Sequence, residues 1–229
     1  MDTSVYKIFA DSHFGGFNNL QLLVTAFTHR SYLNEHRKTA AEHNERLEFL
    51  GDAVLELVVT EFLYSNYKDP EGVLTNWRSA LVRTESISAA ADREGFEPLL
   101  RLSRGEKRGS ERARQQILAN CFEAVIGALY LDRGYQAAQK YIQKTLLPSL
   151  DDILHSGSWM DPKSRLQETA QSREGFTPVY KVLKEEGPDH DKTFVVGVYV
   201  DNKLRGEGTG ASKQAAQVAA AEAALKDYR

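Results

Sequence analysis

The sequence predicts an all-α domain followed by a small α+β module in the order helix, three strands, helix (αβββα). Three observations carry this reading. Up to about residue 150, apolar side chains recur at three- and four-residue spacing; beyond it, Tyr180, Val182, Phe194, Val196, Val198 and Val200 recur at every second residue. Between the two lies a short Gly/Ser stretch ending in Asp161-Pro162.

In the first domain, residues 1–155, the helical segments are 21–29, 46–67, 75–95 and 115–134, and none of them alternates as a strand would. Residues 156–161 form a linker. Asp161 is a good N-cap and Pro162 a good first-turn residue for the helix that opens the second domain, residues 162–229. That domain reads as helix 163–172, strands 178–184, 192–200 and 203–209, and helix 212–227. Asp201-Asn202 supplies the hairpin turn between the last two strands, and Ser212 an N-cap for the last helix. Gly206-x-Gly208-x-Gly210 has the wrong spacing and context for a dinucleotide fingerprint and reads as a tight turn.

The 229 residues are 41% apolar, 10% aromatic and 27% charged, a composition that excludes a disordered tail or a fibre. No apolar run nears the ~20 residues needed to cross a bilayer. The N-terminal segment lacks the apolar core of a signal peptide, so a cytoplasmic protein with no membrane partner is expected. The single cysteine, Cys121, cannot form an internal disulfide or a thiolate zinc cluster; beside Phe122 it reads as core. A net charge of −3, from 29 basic and 32 acidic residues, excludes nucleic-acid binding through bulk positive charge but leaves local patches open.

Chemistry concentrates on the helix from Asn44 to Tyr67. Placed at 100° per residue, Glu45, Glu48 and Asp52 fall within a sector of about 60°, opposite the apolar stripe of Leu47, Leu50, Val54, Leu57 and Val58. A solvated polar face would account for three charges. Phe49, a large aromatic on the same side, and Gly51, which costs about 1 kcal/mol relative to Ala inside a helix, both argue that this face meets another surface. In the helix over 115–134, Asn120 and Glu123 lie on the side away from Leu118, Phe122, Val125 and Leu129, with Gly127 one turn on. If the two faces meet, four oxygen-bearing side chains share a pocket, a donor set suited to Mg²⁺ or Mn²⁺.

The segment His43-Asn44-Glu45-Arg46-Leu47-Glu48-Phe49-Leu50-Gly51-Asp52-Ala53-Val54 resembles the signature of bacterial ribonuclease III, which cuts double-stranded RNA. Phe27 to Ser31, Glu71 to Thr75 with Arg78, Leu81 to Arg83, Ile117 to Asn120 and Glu123 to Gly127 resemble its other landmarks in order. Residues 162–229 look like its double-stranded RNA-binding domain, so the likeness covers nearly the whole chain. It implies an all-α endonuclease domain and a Mg²⁺-dependent hydrolase, with Mn²⁺ as substitute. Glu48, Asp52, Asn120 and Glu123 are then the metal site, Asp52 and Glu123 the catalytic pair, and Glu45 and Glu71 accessory acids. It further implies a homodimer with Phe49 at the interface, processing of rRNA and mRNA precursors, and products with 5′-phosphate and 3′-hydroxyl ends and two-nucleotide 3′ overhangs. The family commonly has Asp where this chain has Asn120; the amide removes one negative charge and should weaken a loosely held ion.

By the same resemblance, Gln167 and Glu168 touch one minor groove of the duplex, Gly187 to His190 enter the next, and Ser212 and Lys213 grip phosphate at a helix N-terminus, over about 16 base pairs. The family often has two or three lysines there; this chain has Lys213 and then glutamines, so weaker binding with a shallower salt slope is expected. Residues 101–114 hold six basic and two acidic side chains, and Lys107, Arg108, Arg112 and Arg114 are read as compensating phosphate contacts. His29 reads as a structural hydrogen-bonding residue. The alternative function is a non-cleaving scaffold that binds double-stranded RNA, which would be expected to have lost several of Glu48, Asp52 and Glu123; all three are present.

Overall fold

The three- and four-residue periodicity becomes a run of helices: α1 (Ser4–Phe14), α2 (Leu20–Ala26), α3 (Arg30–Glu35), α4 (Glu45–Asn66), α5 (Glu71–Val82), α6 (Thr84–Arg93), α7 (Glu111–Arg133), α8 (Tyr135–Thr145) and α9 (Leu150–Ser156). The computed structural model describes residues 3–36, 42–157, 159–188 and 192–228. The chain divides into two units, Met1–Ser156 and Gly157–Arg229.

The core of the first unit forms around α4 and α7, which bury Leu55, Val58, Val59 and Leu63 from one and Phe122, Val125, Ile126 and Leu129 from the other. Phe27, Phe96 and Phe122 fill the centre; the Phe27 and Phe96 rings meet edge-on at 5.0 Å. The start of α7 is capped by Ser110, whose hydroxyl accepts from the Ala113 amide at 3.3 Å; Gly134, with φ of 79°, marks its end. One stretch departs from pure helix. Thr28 and Arg101 form a parallel β-bridge, and the buried Arg101 guanidinium lies over the Tyr32 ring and donates to the Thr28 hydroxyl at 3.0 Å. The Thr28 carbonyl in turn accepts from the Asn44 amide at 2.9 Å, which ties down the residue that begins the acidic helix. Leu57, assigned to the buried stripe of α4, is 56% exposed. It sits at the edge of the apolar sector, where a straight helix turns away from its neighbour.

The second unit contains α10 (Pro162–Glu174), strands β1 (Val179–Glu186), β2 (Thr193–Val200) and β3 (Lys203–Gly210), and α11 (Lys213–Leu225). The strands form an antiparallel sheet in the order β1-β2-β3. The Asp161 carboxylate accepts from the amides of Lys163 and Ser164, both at 3.1 Å, and starts α10. Asp201 and Asn202 take left-handed φ values of 50° and 58°, the backbone of a two-residue hairpin whose twist suits the flanking strands. Val196, Val198 and Val200 face Leu166, Ala170, Ala216, Ala220 and Ala224 in a core of small residues. Val182 does not continue the alternation: the β1–β2 register slips between Val182 and Lys184, leaving Val182 and Leu183 exposed.

The triple-glycine segment is not a tight turn. Gly206, Gly208 and Gly210 lie in β3 directly beneath α11, where a Cβ on Gly208 would stand 2.1 Å from the Ala220 nitrogen and one on Gly206 2.6 Å from the Ala224 nitrogen. Glycine is required here because helix backbone rests on strand backbone. The Ala216, Ala220 and Ala224 stripe opposite is the matching half of this contact.

Candidate active site

Helices α4 and α7 cross at glycine. A Cβ on Gly51 would stand 1.7 Å from the Glu123 carbonyl oxygen, and one on Gly127 2.2 Å from the Leu47 carbonyl oxygen. With neither side chain present the backbones touch, and the residues beside the crossing are brought together. Glu48, one turn before Gly51, and Asp52, immediately after it, come into electrostatic contact with Glu123 of α7. Asn120, one turn before Glu123, donates its amide hydrogen to Glu48. The faces that the sequence analysis left unconnected therefore do meet.

Asp52 is exposed at the rim, while Glu48 and Glu123 are half-buried. Burial first, then the negative charges of Asp52 and Glu48, push the Glu123 carboxyl up to about 8. Glu48 is also raised, by burial and then by Glu45 and Asp52, with the Asn120 hydrogen bond acting in the other direction. Among the described residues no Lys, Arg or His pairs with Glu48, Asp52 or Glu123. Glu45 differs, because Arg30 at 3.4 Å and His43 at 3.8 Å flank its carboxylate. The site is thus an acidic pocket that retains a proton near neutral pH, the state a bound cation would displace.

Four oxygen-bearing side chains fit a hard divalent ion by charge and donor type. As they stand, no three His, Cys, Asp or Glu side chains among the described residues form a group arranged to hold a metal. Asn120 Oδ1 is also turned from the pocket and accepts from Gln116 Nε2 at 2.7 Å. Exchanging the oxygen and nitrogen of the Asn120 amide would aim the oxygen at the carboxylates, and Gln116 carries both a donor and an acceptor able to follow. Sequence reasoning missed Gln116; its signal is the i, i+4 spacing to Asn120 on one helix.

The sequence matches the Ribonuclease-III-like family over residues 19–150 and the double-stranded RNA binding motif over residues 162–228. The chain belongs to the ribonuclease III family. It is 46% identical to Ribonuclease 3 of Enterococcus faecalis over 211 residues, which span 92% of this chain and 91% of the relative. It is 44% identical to Ribonuclease 3 of Latilactobacillus sakei over 214 residues, 93% of each. Among solved structures, the nuclease domain of ribonuclease III from Campylobacter jejuni, described for flexibility in a region involved in dimer formation, superposes with a TM-score of 0.53. That domain is 34% identical and covers 60% of this chain and 96% of its own. The protein is accordingly an endoribonuclease built from a helical ribonuclease III unit and a double-stranded RNA-binding unit.

Within this ribonuclease III unit, Glu71 stays apart from the acidic pocket. It opens α5, accepts from the Thr75 hydroxyl at 3.0 Å and borders a separate cavity with Thr60, Leu63 and Tyr64 of α4. Thr60 lies eight residues beyond Asp52, about 12 Å along the helix. Phe49 is 82% exposed. His29 is structural, its ring nitrogen accepting from the Ser31 amide at 3.3 Å as the cap of α3.

The expected RNA contacts are exposed at Lys107, Arg108, Gln167, Glu168, Ser212 and Lys213, as is Arg112 on the first turn of α7. Two of the predicted cations already have anionic partners: Arg114 is ion-paired with Glu97, and Lys213 with Glu185 at 2.8 Å. Ser212 caps α11, its hydroxyl accepting from the Ala215 amide at 3.1 Å. His190 lies outside the described residues. Among the described residues no helix is long and apolar enough to cross a membrane.

Proposed function

We propose that the protein cleaves double-stranded RNA at the Glu48–Asp52–Glu123 pocket, as a homodimer that uses Mg²⁺, or Mn²⁺ in its place. The carrying observation is the backbone crossing at Gly51 and Gly127, which brings two carboxylates of α4 within electrostatic reach of a half-buried carboxyl of α7 that is pushed up to about 8 by burial and by like charge. Glu48, Asp52, Glu123 and, after its amide turns, Asn120 would hold the ion. When bound, it would polarise the scissile phosphate and acidify an attacking water. In this reading Glu123 must lose its proton to become a ligand, Asp52 at the rim faces the incoming substrate, and Glu45, balanced by Arg30 and His43, tunes Glu48 as an accessory acid. Glu71, which borders the separate cavity beside Thr60 and Tyr64 within one chain, is an accessory acid only toward a second copy.

The dimer reading rests on α4. Phe49, Leu57 and Tyr64 are 82%, 56% and 77% exposed and lie within about 80° of one another around the helix. Three exposed apolar side chains on one helical face suit a partner surface. Lys107, Arg108, Arg112 and, once freed from Glu97, Arg114 would contact phosphates from the nuclease unit. Gln167, Glu168, His190, Ser212 and Lys213 would track the minor grooves and backbone from the other. The products are expected to carry 5′-phosphate and 3′-hydroxyl ends with two-nucleotide 3′ overhangs, and the cellular task is processing of rRNA and mRNA precursors in the cytoplasm.

One observation favours the non-cleaving scaffold: the carboxylates are not gathered into a ligand group, and the Asn120 oxygen is engaged by Gln116. A single experiment separates the two readings. A long RNA duplex incubated with the purified chain, with Mg²⁺ or with a chelator, should be cut only with the metal and leave the stated ends. Glu123→Gln should stop cleavage while duplex binding persists. Intact duplex in the presence of Mg²⁺, with binding retained, would make the protein a scaffold.

A further inference from the structure

The nuclease unit contains another concave feature, 370 Å³ in volume, framed by the end of α1, the last turns of α7 and one face of α8. It is not part of the acidic pocket: Leu129 and Arg133, which border it, lie six and ten residues beyond Glu123, about 9 and 15 Å along α7. Among the described residues its lining contains no acidic side chain.

The floor is apolar and aromatic. The Phe14 and Tyr141 rings meet edge-on at 4.9 Å beside Leu129. Tyr141 is only 4% exposed, and its hydroxyl has no hydrogen-bond partner. The rim is cationic. Arg133 is anchored through the carbonyl oxygens of Phe14 and Gly16, the latter at 3.2 Å, so its guanidinium is positioned without a carboxylate partner. Lys140 and Lys144 stand one turn apart on α8, like charges on one face, and neither is ion-paired among the described residues. Of the nearby acids, Asp132 accepts from the amides of Asn18 and Asn19, while Glu94 faces His13 of the lining at 3.8 Å and lies behind the floor, close to Tyr141.

We propose that this cavity binds a nucleoside 5′-phosphate, the phosphate held by Arg133, Lys140 and Lys144 and the base set against Phe14 and Tyr141. Three cations on one rim, unpaired with carboxylates among the described residues, call for an anion of more than one negative charge, and an aromatic floor calls for a planar group. The volume suits one nucleotide. A concave pocket of this size does not fit the convex flank of an RNA duplex. The same group occurs in a free nucleotide and at the phosphorylated end of a strand.

The test uses the full chain in chelator, so that no divalent ion contributes, and reads binding by calorimetry. Adenosine 5′-monophosphate is expected to bind at least ten-fold tighter than adenosine or inorganic phosphate. The doubly substituted Lys140→Ala, Lys144→Ala protein should lose ten-fold or more of that affinity at an unchanged melting temperature. A 5′-phosphorylated tetranucleotide, compared with its 5′-hydroxyl counterpart, decides the source: tighter binding than the mononucleotide assigns the site to strand ends, weaker binding to free nucleotide. Equal affinity of the double variant and the parent, or of the mononucleotide and inorganic phosphate, would overturn the proposal. The readout is independent of duplex cleavage, so either result leaves the proposed activity to its own test.

Discussion

Replacing Gly51 by alanine should damage catalysis far more than stability. The added Cβ would stand 1.7 Å from the Glu123 carbonyl oxygen, 2.6 Å from its carbon and 2.8 Å from the Gly127 nitrogen. All three are backbone atoms that no side-chain rotation can move. Since Cβ contacts under 3.0 Å are essentially never tolerated, α4 and α7 must part by about 1.3 Å at the crossing. Overpacking of this kind costs about 1–3 kcal/mol, or more, and alanine's better helix propensity returns about 1 kcal/mol. The net loss is then about 0–2 kcal/mol, a fall in Tm of up to roughly 8 °C for a chain of this size. The same displacement separates Glu48 and Asp52 from Glu123, and a misplacement of about 1 Å at a reacting centre can cost on the order of 100-fold in rate. Thermal melts and single-turnover cleavage of a duplex, both well below the transition, measure the two effects. Val59→Ala, a cavity-forming change in the same helix away from the crossing, serves as the control of comparable stability. Should Gly51→Ala cleave at the parental rate, or lose no more activity than Val59→Ala, the idea that backbone contact sets the carboxylate geometry is refuted.

Glu123→Gln should raise the Tm of the metal-free protein at pH 8.5 and leave it nearly unchanged at pH 4.5. The folded-state value of about 8 exceeds the ordinary 4.5, so the native state holds the proton more tightly and stability falls as pH rises through that window. After discounting for partial exposure the gain at high pH is roughly 1–2 kcal/mol, and an equal Tm at both pH values would contradict the raised protonation. Neutralising Lys107, Arg108 and Arg112 together should reduce the slope of log K against log salt for duplex binding by up to about 3, whereas Arg114→Ala, already paired with Glu97, should change it by less than about 1. An unaltered slope in the triple variant would remove that segment from the interface. Asn120→Asp should lower the Mg²⁺ concentration needed for half-maximal cleavage by adding an anionic donor; unchanged metal dependence would show that the amide has no special role.

Much of this site was legible because side chains on a helix repeat with a known angle. That angle aligned Glu45, Glu48 and Asp52, and the propensity cost of Gly51 flagged a close approach before any partner was known. Which helix approached could not be read, since contact between α4 and α7 is made by backbone atoms of Leu47, Glu123 and Gly127 that are chemically identical everywhere in the chain. The same limit explains the misreading of Gly206, Gly208 and Gly210. The strand over 203–209 was legible, but its glycines have no side chain to mark the face they present, so their role as the seat of a helix left no trace except the alanine stripe of α11. The partners of Arg114 and Lys213 were hidden for a different reason: Glu97 and Glu185 are distant in sequence, and ion pairs at such separation are consequences of the fold. Leu57 shows the coarseness of the angular reading at a sector edge.

Backbone laid on backbone along β3 and α11 also fixes more than the packing of one small unit. With alanines seated over glycines, α11 has no compliant side-chain layer on which to slide or roll, so its capped first turn keeps a constant offset from the β1–β2 edge. The contact between α11 and β3 behaves as a gauge block rather than a hinge: Ser212 and Lys213 are held at an offset from β3 that no side-chain repacking adjusts.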